Sequence, residues 1–332
     1  MILDHYYIED YEGVLYTVVG NRHPPGYIYS YAKYKPSKNK TPWCKKGVCY
    51  KRAFRTYSPK AVHDHYYVKL YDPYYDAYIP ATPESVIKKI YDPVKRVYEM
   101  IVKPQDSIEE MAGYYASILA REANIPLSNI GITGSILPRI HNPLISDIDY
   151  VIYGESSSRK VIEVLSEGVV EGFKPFNKTK LYEWCKRLSR ELGLEIHHVM
   201  KAYRIWRRGL MSNTKEYSIT YSLDYVEPYP GVTWKTIGVV RIKARVENTY
   251  KTLNYPSRAL LKDYMVLSRI SGTVIHPIKE VVSFENLFLP LLFEEGNRVI
   301  EGILQYSKDL NYSRILIGVK EYRGFIIDAD TG

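Results

Sequence analysis

Two aspartates one residue apart, Asp147-Ile148-Asp149, follow a Gly134-Ser135 pair at a distance of twelve positions. The run from Asp147 to Tyr153 is rich in β-branched and aromatic residues and ends at Gly154, so it reads as a strand. Side chains two apart on a strand share a face. Asp147 and Asp149 therefore point one way, and Ile148 and Tyr150 point the other, into apolar packing. Two carboxylates held this close repel each other and desolvate badly. A divalent cation neutralises such a pair. Upstream, Gly134-Ser135 offers backbone N–H groups and a hydroxyl, donors suited to a phosphate. A phosphate cradle beside metal-binding carboxylates is the equipment for metal-assisted transfer from a nucleoside triphosphate.

The ordered combination of Gly134-Ser135 and Asp147-Ile148-Asp149 resembles the signature of the polymerase-β-like nucleotidyltransferase superfamily. The resemblance implies a mixed-sheet core, a strand whose two aspartates bind Mg²⁺ or Mn²⁺, and a third carboxylate on a later strand. Three segments together resemble a group of archaeal predicted nucleotidyltransferases. They are Gly20-Asn21-Arg22-His23-Pro24-Pro25-Gly26, the central Gly-Ser and Ser146-Asp147-Ile148-Asp149 segments, and Glu280-Val281-Val282-Ser283-Phe284. One departure concerns Pro138 and Pro143, which shorten the helix that should follow the Gly-Ser pair. Proline is accommodated only in a helix's first turn. Arg139 and His141 lie in this short connection, where they serve either a triphosphate or a solvated loop.

Two later stretches offer the third acid. Residues 217–226 alternate as a strand and contain Asp224, whereas residues 239–247 alternate and end in Glu247. Asp224 is favoured, because its strand follows the helices, where the resemblance places the third carboxylate. The expected site is thus Asp147, Asp149 and Asp224 for metal, with Gly134 and Ser135 for the nucleotide.

These residues need a scaffold. Asp106 and Ser107, with Glu109 and Glu110 three residues after each, form a capping-box pattern that opens a helix. Its stripe of Ile108, Met111, Tyr115, Ile118 and Leu119 should pack on the catalytic sheet. Residues 156–158 read as the N-cap of a second helix, and residues 179–192 as a third that ends at Gly193. Helical character also begins near Pro83 and continues through residues 93–101. Before it, residues 13–20 and 27–34 read as strands joined by the turn around His23 and Gly26. After residue 241 short segments predict a small β-barrel or sandwich. Residues 297–306 fit either a strand or a short helix. The expected architecture is α+β: an N-terminal β-rich region (1–90), a nucleotidyltransferase core (91–240) and a C-terminal β-rich domain (241–332).

Composition sets the partners. The 332 residues carry a formal net charge of +9. Ten Lys and Arg, and no acid, lie between Lys33 and Lys60, interleaved with Tyr34, Trp43, Tyr50, Phe54 and Tyr57. Such a stretch suits a nucleic-acid backbone with unstacked bases, or else a solvated basic hairpin. Arg204, Arg207 and Arg208 around Trp206 could likewise grip phosphates or face solvent. Thirty-four tyrosines point to a thermophile or to a nucleotide-composition bias. Three cysteines make no disulfide framework, although Cys44 and Cys49 could bridge each other or form half of a metal site. No run of apolar residues is long enough for a membrane helix and no signal peptide is read, so the cytoplasm is the expected location.

The resulting expectation is transfer of a nucleoside monophosphate from a triphosphate to a hydroxyl, on RNA. Modification of a protein or small molecule, and a catalytically weak RNA-binding protein that retains the fold, are the alternatives.

Overall fold

In the computed structural model the described residues are 1–45, 47–54, 64–248 and 252–329. The N-terminal stretch supplies β1 (Tyr7–Asp10), β2 (Leu15–Val18), β3 (Tyr27–Ser37), β4 (Trp43–Lys45), β5 (Val48–Arg52), β6 (Val68–Asp72), β7 (Ala77–Pro83) and β8 (Ile87–Tyr91). They form one eight-stranded sheet in the order β4-β5-β3-β2-β1-β8, with β7 on β3 and β6 on β7. The expected helix after Pro83 is a single 3-10 turn followed by β8. A short apolar run fits either state, and pairing of Ile90 with Ile8 on β1 selects the strand.

Helix α1 (Pro93–Val102) starts where Asp92 accepts from the Val94 and Lys95 amides. Helix α2 (Ser107–Glu122) is capped in the same way by Asp106, which accepts from the Ile108 and Glu109 amides. Glu109 does not close the capping box. Its Oε2 accepts from the Gln105 amide at 3.1 Å, and its Oε1 pairs with buried Arg96.

The chain continues through β9 (Ile130–Ile132), β10 (Ile148–Tyr153), α3 (Glu155–Glu167), β11 (Phe173–Lys174), α4 (Lys178–Leu192), α5 (Ile196–Lys201), β12 (Arg208–Met211) and β13 (Lys215–Ser222). Helix α3 begins directly after Gly154, not at a cap of Ser156 to Ser158; the Ser158 hydroxyl donates to the Gly154 carbonyl from inside the helix at 2.8 Å. Strands order as β11-β12-β13-β10-β9, with β10 and β13 parallel.

The alternation of β10 and β13 assigns the two faces of this sheet. Ile148, Tyr150 and Ile152, with Tyr217, Ile219 and Tyr221, bury into a core shared with α2 and α3. On the opposite face Val151 and Tyr153 join Ile8, Tyr16, Val18 and Ile28 of the N-terminal sheet. The N-terminal sheet therefore covers one end of the face that carries Asp149.

The C-terminal part comprises β14 (Lys235–Asn248), β15 (Ser257–Gly272), β16 (Ile278–Ser283), α6 (Leu289–Phe293), β17 (Gly296–Ser307), β18 (Tyr312–Ile317) and β19 (Phe325–Asp328). Residues 297–306 are thus strand. β14 pairs with both β15 and β17, so the sheet curls round and closes upon itself through β16 and β18. Val240, Ile242, Val246, Ile300, Leu304 and Ile315 fill its interior. The molecule is α+β, with its sheets in consecutive stretches of chain.

Candidate functional site

The Thr133 amide donates to the Asp149 carbonyl at 2.8 Å and extends the β9–β10 ladder by one residue. Gly134 then lies against the Asp149 side chain. Its φ is +65°, and a Cβ built there would stand 2.3 Å from Asp149 Oδ2. Only glycine meets both requirements. The structure thus brings Gly134 into direct contact with Asp149.

The parallel β10–β13 register aligns Ile148 with Tyr217 and Asp149 with Ser218, whose hydroxyl donates to Asp149 Oδ1. Glu216 stands two residues before Ser218 on β13 and so shares its face, while Asp147 immediately precedes β10. Across β13 from Ser218 stands Arg208 of β12. Glu216 is held by Lys180 Nζ at 2.6 Å, from α4, and by Arg208 Nη1 at 3.8 Å. The carboxyl of Asp147 is raised to about 6, first by the charge of Asp149 and then by burial, against the opposing pull of Arg208 and Arg52. Carboxylates are hard oxygen donors of the kind that divalent cations take, but the ligand atoms of Asp147, Asp149 and Glu216 do not all lie within 4.8 Å of one another. The repulsion between Asp147 and Asp149 is what a cation there would remove.

Glu216 escapes a reading of the sequence because nothing local distinguishes it from any acid at the start of a strand. Its significance appears only through the register with β10. Asp224 is not brought to the pair. β13 ends at Ser222, and Asp224 lies beyond it, next to Gly154, where an added Cβ would be 3.2 Å from Asp224 Oδ2. Six residues separate it from Ser218, a span of roughly 20 Å in extended chain. Glu247 lies on β14, opposite Leu260, and pairs with Lys262 Nζ at 3.0 Å.

The segment after Gly134 forms hydrogen-bonded turns in place of a helix. The Ile140 amide donates to the Ser135 carbonyl and the Arg139 amide to the Ile136 carbonyl, each at 3.1 Å. Ser135 is buried, and its hydroxyl donates to Ser146 Oγ at 3.2 Å. Arg139 and His141 face the helices: Arg139 pairs with Glu99 and His141 with Asp106, both at 2.8 Å. Arg96 Nε adds a bond to the Ile136 carbonyl at 3.2 Å. These contacts brace the turn.

Asp106, Glu109 and His141 also form a group whose ligand atoms lie within 4.8 Å of one another and could hold a metal ion. Arg96 already pairs with Glu109, and Asp106 already caps α2. Its charges are thus already engaged by the protein itself.

The basic N-terminal stretch reaches the same site. β4 and β5 form a hairpin joined by the cross-strand Cys44–Cys49 disulfide. Lys45 Nζ donates to the Pro138 carbonyl at 2.9 Å. Half-buried Trp43 packs with Tyr34, Leu137 and Ile140, and Arg52 lies over its ring at 4.9 Å. Trp43 therefore anchors the hairpin and does not stand free as a stacking platform. Lys46 and residues 55–63, part of the same basic stretch, lie outside the described residues.

The other two segments of the sequence resemblance meet each other elsewhere. Gly20, Arg22, Tyr255, Arg258 and Phe284 line one small cavity between the N-terminal sheet and the C-terminal part. Arg22 pairs there with Glu227 at 3.0 Å, and Arg258 with Glu280 at 3.6 Å. His23, beside this turn, accepts from the Tyr29 amide at 3.2 Å, and burial lowers its pKa to about 4. Of the arginines around Trp206, Arg204 forks onto Glu294 and half-buried Arg207 donates to the Ile219 carbonyl.

Among the described residues no helix is long and apolar enough to cross a membrane. No family model matches the chain, and no solved structure matches it. The chain is similar to an uncharacterized protein, MJ1086, of Methanocaldococcus jannaschii: 27% identical over 220 residues, covering 64% of this chain and 61% of that protein's length.

Proposed function

We propose that the chain is a metal-dependent nucleotidyltransferase of the polymerase-β-like type. It would move a nucleoside monophosphate from a triphosphate to an acceptor hydroxyl. The observation that carries this reading is the seating of Gly134 on the Asp149 carboxylate, with Glu216 two residues before Ser218 on the neighbouring strand. In this reading the turn at Gly134, the paired aspartates and a third acid on the adjacent strand would form one site.

Asp147, Asp149 and Glu216 would hold the metal. Bound Mg²⁺ or Mn²⁺ would supply Lewis-acid activation of the acceptor and charge neutralisation on the triphosphate. Gly134, having no side chain, lets the Asp149 carboxylate sit directly against the turn. Ser218 fixes the Asp149 carboxylate through its hydroxyl. Lys180 and Arg208 balance Glu216 in the metal-free chain. The N-terminal sheet covers the Val151 and Tyr153 end of the face, so the acceptor would approach from the Asp147 end. RNA as the acceptor is supported by the exposed basic residues Lys38, Lys40, Lys51 and Arg52 on the strand and hairpin next to the site.

The test is incubation of the purified chain with each labelled triphosphate, Mg²⁺ and total RNA. Pyrophosphate release and label transfer are expected, and both should vanish in Asp147→Asn/Asp149→Asn. Activity that persists in that variant would refute the assignment.

A further inference from the structure

Helix α4 presents positive charge to solvent. It carries five Lys and Arg against two acids, Glu183 and Glu191. Lys180 pairs with Glu216 at 2.6 Å. Among the described residues Lys178, Lys186, Arg187 and Arg190 enter no ion pair, and all four are exposed. Lys178, Tyr182, Lys186 and Arg190 recur at every fourth position and so line one ridge. The two ends of that ridge are about 18 Å apart along the helix. Tyr182 is 49% exposed within it, and Lys186 Nζ lies 5.8 Å from its ring centroid. Cys185 and Leu192 bury the inner side of the helix.

A second feature meets α4 at the start of β13, where Lys215 and Glu216 are consecutive. Glu216 receives Lys180 of α4, and Lys215 Nζ donates to the Leu144 carbonyl at 3.0 Å. Leu144 and Ile145 are 86% and 60% exposed, two large aliphatic side chains left in water just ahead of Asp147. Hydrogen bonds hold them there. Asn142 Oδ1 accepts from the Leu144 amide at 3.0 Å, and the Asn142 carbonyl accepts from the Ile145 and Ser146 amides at 3.2 and 2.9 Å. Ser146 Oγ accepts from the Asn142 amide at 3.0 Å and from the Ser135 hydroxyl at 3.2 Å. The apolar tip is thus fixed to the turn that carries Gly134. It precedes Asp147, at the end of β10 away from Val151 and Tyr153, which the N-terminal sheet covers.

We propose that the α4 ridge and the Leu144–Ile145 tip together dock the acceptor as single-stranded RNA, its backbone along the ridge and an unpaired base against the tip. This rests on RNA being the acceptor, as argued above. Charge complementarity selects a polyanion: phosphates neutralise the ridge cations and release their own counterions. The aliphatic tip and exposed Tyr182 select a polyanion that also offers ring faces to pack on them. An acidic peptide offers the charge without a ring on each unit.

Fluorescence anisotropy with the full chain and a labelled single-stranded oligouridylate across a salt series tests this. Replacing Lys178, Lys186, Arg187 and Arg190 together by Gln should lower the slope of log affinity against log salt by about 3. Leu144→Ser/Ile145→Ser should weaken binding about tenfold and leave the slope unchanged. Both variants should melt as the wild type does, because the positions are exposed. If either variant binds the RNA as the wild type does, the surface is refuted, and RNA as acceptor stands through the N-terminal hairpin. If polyglutamate of equal charge binds the wild type as tightly as the RNA, and the ridge variant loses both, the occupant is an acidic protein and the proposal is overturned. If the wild type binds no RNA at low salt, this surface and RNA as acceptor fall together, while pyrophosphate release still judges the nucleotidyltransferase reading.

Discussion

Asp149 and Ser218 are aligned on parallel strands, and Glu216 stands two residues before Ser218 on the same face. Lys180 and Arg208 hold Glu216 in this place, whereas Asp224 lies past the far end of the same strand. In the site proposed here, Glu216 replaces Asp224 as the third acid. Glu216→Gln should reduce pyrophosphate release by at least about a hundredfold, and Asp224→Ala should retain near-wild-type activity if it folds. Parallel assays of the two variants decide the matter, and the reverse outcome would return the role to Asp224.

Asp147 gives the metal-free protein a distinct pH dependence. Its carboxyl titrates at about 6 in the folded chain because of Asp149 and burial, against an unfolded value of about 3.9. Between these values the folded chain retains a proton that the unfolded chain has lost. Stability therefore falls as pH rises through that window, by up to about 3 kcal/mol. Denaturant melts in chelator from acid to neutral pH should show the fall, and Asp147→Asn should flatten it. Added Mg²⁺ at neutral pH should restore stability to the wild type only.

Gly134→Ala tests the contact beneath the site. The substitution adds left-handed backbone strain and places a methyl group 2.3 Å from Asp149 Oδ2. A loss of about 2 to 4 kcal/mol is expected. In an Asp149→Ala background the clash disappears and only the backbone strain, about 1 to 2 kcal/mol, should remain. A double-mutant cycle by urea unfolding measures the coupling. Additive effects would mean that the glycine and the aspartate do not meet.

The hairpin separates anchoring from RNA binding. Trp43 is half-buried under Arg52 and against Tyr34, so Trp43→Ala should destabilise the chain by about 1 to 3 kcal/mol. Replacing exposed Lys38, Lys40 and Lys51 by Gln should leave stability unchanged and flatten the salt dependence of RNA binding. Lys45 is excluded from that set because it holds the Pro138 carbonyl. Thermal melts and fluorescence anisotropy with labelled single-stranded RNA across a salt series read the two effects. Absence of RNA binding at low salt would favour a protein or small-molecule acceptor.

Local pattern in the sequence carried strand β10, the apolar stripe of α2 and the end of α4 at Gly193. In each case the information is short-range: alternation, helical spacing, or a glycine taking a positive φ. The link between Gly134-Ser135 and the Asp pair was legible for the same reason, since a short connection joins adjacent strands. Glu216 was not, because its role arises from the register between β10 and β13, whose aligned residues are 69 positions apart. Nor could spacing show that Arg139 and His141 would turn away to the acids of α1 and α2, or that Trp43 would be buried by its own hairpin. Ser85 to Ile90 met helical spacing and became strand because β1 offered an edge to pair with. Sequence periodicity determined which side chains share a face; only the folding of distant segments against one another decided which faces meet and which charges are left to act on a substrate.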